Sequence, residues 1–130
     1  MAYRITEEYL KDIYDALRRK MMEDKPYRSP TLSRDTLAKM VGTKSEHVSS
    51  ALMLEGKTFA AFIAEYRITE VRRLLKNNPS MAIYQAAAKA GFGTPGTFLM
   101  WYGKIHGGHP SDEFRDHVLY DTKQKPHKKR

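Results

Sequence analysis

Thr58–Asn77, TFAAFIAEYRITEVRRLLKN, is the stretch from which the fold can be read. Phe59, Phe62, Ile63, Tyr66, Leu74 and Leu75, with Val71 between them, recur at three- and four-residue steps and form one apolar stripe. Glu65, Arg67, Glu70, Arg72, Arg73 and Lys76 take the other face, so the stretch predicts one long amphipathic helix. Thr58 is placed to cap it. Asn77-Asn78-Pro79 stops it, because proline cannot continue a helix and disfavours helical geometry in the residue before it. A short helix-turn-helix pattern lies on each side, which makes residues 58–78 a linker between two similar modules.

The first module occupies residues 32–57. Ser33 starts a short helix containing Leu37, Ala38, Met40 and Val41, and Gly42 permits the left-handed corner. Thr43 with Glu46 three residues on reads as a capping box, which starts the next helix at Lys44 and carries it to about Leu54, before Gly56. The second module, with its closing helix, occupies residues 79–118. Ile83–Lys89 leads, Thr94-Pro95 supplies an N-cap and a proline in the first helical position, and the helix with Phe98, Leu99, Trp101, Tyr102 and Ile105 ends at Gly107-Gly108. Ala38 and Gly42 return 49 residues later as Ala87 and Gly91, and Val48 returns as Phe98 with one residue more in the turn. A small residue lets two helices approach, glycine turns the chain, and a bulky apolar residue plugs the angle. Recurrence of the trio is a stronger signal than either copy alone. A last short helix, from about Ser111 to Tyr120, is expected to pack Phe114, Val118 and Leu119 against this module.

Residues 1–31 hold a further helix, Glu7 to Asp24, capped by Thr6 and striped by Leu10, Ile13, Tyr14, Leu17 and Met21, followed by the connector KPYRSPT, expected to be extended. Residues 119–130 read as a basic, disordered tail. The architecture predicted is all-α: two helix-turn-helix subdomains with homeodomain-like lobes, joined by a long central helix, about seven helices in all. The net charge of +8 and pI near 9.7 favour a polyanionic partner. Five basic residues against one acid within 121–130 carry +4 of that charge, leaving +4 for the rest. With no cysteine, disulfides and thiolate metal sites are excluded, which suits a reducing cytosol. No apolar run approaches the roughly 18 residues of a membrane span, and MAYRITEEYLKD has no apolar signal core.

Taken together, LAKMVGTKSEHVSSAL, the linker with its Tyr66-Arg67 pair, and the run from Ile83 through AGFGTPGTF to GGHPSDEFR resemble the DNA-binding domain of AraC/XylS transcription regulators. The likeness extends over Leu32–Arg115, about two thirds of the chain, and Tyr27 to Leu32 resembles the lead-in of Bacteroidetes-like members. It implies two recognition helices entering successive major grooves of double-stranded DNA. A linker of 18 to 20 residues, roughly 27 to 30 Å, is near the duplex repeat of about 34 Å. It also implies RNA polymerase as a further partner, a sensor or dimerisation domain outside these residues, and a cytoplasmic, nucleoid-associated location. The sequence departs from the family at Glu46, Ser49 and Ser50, where an aromatic or polar residue, a polar residue and an arginine are common, and at Pro95, Gly96, Thr97 and Met100, where long polar residues and an arginine are, so low intrinsic specificity is expected.

Lys44, Ser45, His47, Ser49 and Ser50 are the candidate DNA-contacting residues of the first module. Thr94, Gly96, Thr97 and Met100 are those of the second, with Lys104 and Arg115 as backbone contacts. Arg67, Arg72 and Arg73 either approach phosphates or form ion pairs along the linker. His106 and His109 alone do not make a metal site, GFGTPG has no preceding strand to make it a dinucleotide loop, and no nucleophile-base-acid set occurs, so no enzyme or cofactor is expected. The alternative reading is a degenerate helix-turn-helix domain that binds a protein through its old reading face, on the strength of Leu99-Met100.

Overall fold

Caps and corners set the architecture. A computed structural model describes residues 5–120, and these form seven α-helices and one 3-10 turn. The helices are α1 Glu7–Glu23, α2 Arg34–Val41, α3 Ser45–Leu54, α4 Phe59–Asn77, α5 Ile83–Lys89, α6 Pro95–Ile105 and α7 Pro110–Glu113. The expected tail lies almost wholly outside the described residues. The chain divides into two compact units, Met1–Ile63 and Ala64–Arg130, with α4 beginning in one and continuing in the other.

In the first unit, Thr6 caps α1 by accepting from the Tyr9 amide at 3.0 Å, and Ile13, Leu17 and Met21 are buried from its inner face. Ser33 caps α2 through the Thr36 amide at 3.1 Å, and Thr58 caps α4 through the Ala61 amide at 3.1 Å. Each such cap contributes about 1 kcal/mol. Leu37, Ala38, Val48, Ala51 and Leu52 complete the core, and Tyr14 tilts against Phe62 with ring centroids 5.8 Å apart.

Three expectations here need correcting. The connector after α1 is not extended: Lys25 takes a left-handed conformation and Pro26–Arg28 forms a 3-10 turn that buries Tyr27. Proline suits the first position of such a turn, where its missing N–H has no partner to lose. Thr43 is not the cap of α3; Lys44 is, without a side-chain bond, because the Thr43 hydroxyl is turned to Tyr9 and His47. Glu70, expected on the polar face of α4, is 4% exposed and is held by Arg73 through Nε at 2.9 Å and Nη2 at 3.0 Å. A buried carboxylate is tolerated when a guanidinium forks onto it.

In the second unit, Ile68, Val71 and Leu75 of α4 pack with Ile83, Ala86, Ala87, Phe92, Phe98, Tyr102 and Phe114. Thr94 caps α6 by accepting from the Thr97 amide at 3.2 Å. The closing helix is far shorter than expected: α7 stops at Glu113, and Val118 is exposed. The reason lies at α5, whose N-cap is Ala82 and supplies no side-chain acceptor. The carbonyls of Val118 and Leu119 accept from the Ile83 and Tyr84 amides at 2.8 and 3.0 Å, and His117 Nδ1 donates to the Met81 carbonyl at 2.7 Å. The chain after α7 therefore runs non-helically and satisfies amides that α5 leaves open.

Candidate nucleic-acid interface

The two corners share one closure. After α2 the Thr43 amide donates to the Ala38 carbonyl at 2.9 Å and the Gly42 amide to Lys39 at 3.2 Å, with Gly42 at φ 76°. After α5 the Phe92 amide donates to the Ala87 carbonyl at 3.0 Å and the Gly91 amide to Ala88 at 3.1 Å, with Gly91 at φ 110°. Both are paired closures of a helix end through a positive-φ residue, which only glycine enters without strain. The Ala–Gly spacing that repeats in the sequence is the spacing of this closure. Val48 and Phe98, both 0% exposed, then anchor α3 and α6 in their cores.

On α3, Val48, Ala51 and Leu52 face inward, so Glu46, Ser50 and Met53 lie on the opposite side at helical spacing. Three of the five candidates are held by neighbours. Ser45 donates to Asp35 Oδ1, Ser49 accepts from Arg34 Nη1 at 2.7 Å, and His47 Nδ1 shares a hydrogen bond with the Tyr9 hydroxyl at 3.2 Å. The Tyr9 ring meets the His47 ring edge-on at 5.5 Å. Lys44 is exposed at the helix start, and Ser50 is half-buried. Sequence reasoning missed Tyr9, Arg34 and Asp35; nothing in their spacing marks them, since α1 and α2 bring them to α3 from 10 to 38 residues away.

On α6, Pro95, Gly96, Thr97, Met100, Gly103 and Lys104 are exposed, while Phe98 and Tyr102 are buried. The Thr94 hydroxyl donates to Thr97 Oγ1 at 3.0 Å, so this pair is partly engaged in the cap. Lys104 Nζ lies 5.2 Å from the Trp101 ring centroid, leaving its charge at the surface. Trp101 and Leu99 pack against the core, and Met100 alone of the Leu99-Met100 pair is exposed. Arg115 is exposed, with Nε donating to the Asp112 carbonyl at 3.2 Å.

Linker arginines are engaged within the fold. Arg72 forks onto Glu113 with its shortest contact at 2.6 Å, and the Tyr102 hydroxyl donates to the same carboxylate at 2.5 Å. The Arg72 bond holds the Glu113 carboxyl below its usual range, with the Tyr102 bond adding to it against desolvation. Burial, then the Glu113 bond, pushes the Tyr102 phenol up. Arg67 lies over the Phe92 ring at 5.8 Å, and burial lowers its pKa. Among the described residues no group of three metal-ligating side chains occurs, and no helix is long and apolar enough to cross a membrane.

A family model described as a helix-turn-helix domain matches residues 37–116. The chain is also similar in structure to the C-terminal domain of AraT, a response regulator from Geobacillus stearothermophilus, with a TM-score of 0.65 and 19% identity over 86% of this chain and 93% of that one. No curated protein matches the chain.

Proposed function

This chain belongs to the AraC-type helix-turn-helix family of DNA-binding domains, and from that premise we propose that α3 and α6 are its two recognition helices, set into successive major grooves of a specific duplex site. The observation that carries the reading is the shared corner closure at Gly42 and Gly91, since each delivers a helix plugged into its core by one buried residue and exposed along the far side. Lys44, at the start of α3, contacts phosphate, where helix amides add to its charge. Ser50 with Glu46 in the first unit, and Thr97 with Met100 in the second, meet base edges, Met100 through a thymine methyl. Lys104 and Arg115 contact the backbone beside α6. The domain regulates transcription from such a site rather than catalysing a reaction.

The test is selection of the purified chain on random and genomic duplexes at two salt concentrations. Enrichment of a site with two elements about one helical turn apart supports both readers. Binding that falls with salt and enriches nothing limits the chain to phosphate contacts and overturns the specific reading. The protein-binding alternative requires an apolar patch at Leu99-Met100; with Leu99 packed inward and Lys104 one turn on, Met100 stands by itself.

A further inference from the structure

The first recognition helix contains no Lys or Arg between Ser45 and Leu54, although a guanidinium is the side chain best matched to a guanine edge, through two parallel bonds to O6 and N7. We propose that Arg34, on the leading helix α2, supplies the guanidinium with which the first unit reads a guanine. The inference rests on the recognition-helix assignment of α3.

Two observations carry it. Arg34 Nη1 donates to Ser49 Oγ at 2.7 Å, so a side chain from outside the recognition helix is tethered to one edge of its outward face. That bond uses one of five N–H donors, and Ser49 fixes the end of the group while the remaining donors stay available. Arg34 also occupies the first position of α2, where the helix dipole disfavours a cation, so helix stability does not account for it; Asp35 beside it is the residue that suits that end. The polar surface of α3 and the charge of α2 thus form one reading element.

The experiment uses the full chain on its selected site and on duplexes with each base pair of that site substituted in turn. Arg34→Ala is expected to lose tenfold or more on the intact site, to lose nothing on the duplex lacking one particular guanine, and to leave thermal unfolding unchanged, because the side chain is exposed. Arg34→Lys should not restore the guanine preference, since an ammonium lacks the fork, and Ser49→Ala should weaken it in part. A uniform loss across all duplexes with a shallower salt slope would make Arg34 a phosphate contact and overturn the proposal, as would unchanged preference in Arg34→Ala. If the unaltered chain enriches no site, the recognition-helix reading itself fails, which is distinct from either result.

Discussion

In the first unit the flanks of α3 are polar and held: Asp35, Arg34 and Tyr9 reach Ser45, Ser49 and His47 from two other helices, while Glu46, Ser50 and Met53 line the far side. In the second, α6 presents two glycines, a threonine engaged in its own cap, and Met100. The corners that deliver these helices are closed by the same pair of backbone bonds. Corner geometry and surface chemistry are therefore separable: the backbone closure needs only a small residue and a glycine, while the face beyond it is free to vary. On the proposed assignment, one unit reads by polar contact and the other by close approach of a bare helix.

The plugs give the largest test of this comparison. Phe98→Ala should destabilise the second unit by about 3–5 kcal/mol, and Val48→Ala the first by about 2 kcal/mol, measured by denaturant unfolding with a probe in each unit. Equal losses would mean that the two units do not unfold as separate cores. Next comes Glu113→Gln, expected to cost about 1–2 kcal/mol at neutral pH by unpairing Arg72 and Tyr102. Because the folded carboxyl titrates below its ordinary value of 4.5, its stabilisation is fully present above that pH and is lost as pH falls through the depressed value. The variant should flatten this acid limb of the second unit's unfolding curve.

Binding effects are smaller. Lys44→Ala should weaken DNA binding about fivefold at low salt and reduce the salt slope by about one, whereas Thr97→Ala should cost about twofold or less. Reversal of that order would make α6 the main reader. Lys44 and Thr97 sharpen the test because Ser45 is tied to Asp35 and Thr94 caps α6, so replacing either disturbs the fold as well. A last test lies at Gly103, where an added Cβ would meet only the Gly108 carbonyl at 3.9 Å. Gly103→Ala should raise the stability of α6 by about 0.5–1 kcal/mol and yet weaken DNA binding if the helix seats closely. Stability gained with binding unchanged would remove close approach from the account of α6.

What could be read in the sequence was local. Thr6, Ser33, Thr58 and Thr94 announce their helices because a cap involves residues three apart, and the Ala–Gly corners repeat because their closure spans five. Misreadings arose where a distant partner decided the outcome. Thr43 fits a capping box until Tyr9 and His47 engage it, and Glu70 sits on the polar side of the periodic pattern yet is buried with Arg73. The candidate site was legible only as far as its two helices and the polar residues along them. Its supporting side chains were not, because a bond such as Arg34 to Ser49 leaves no mark in periodicity.

The bonds from Val118 and Leu119 to the start of α5 also impose an order of assembly. A chain emerging from the ribosome has all of its first compact unit once residue 63 has left the tunnel. The second cannot close the front of its leading helix until residues some thirty-five positions further on have followed. One unit is thus available to fold while the other is still being made, and a ribosome that stalls before Val118 would leave α5 with an open end.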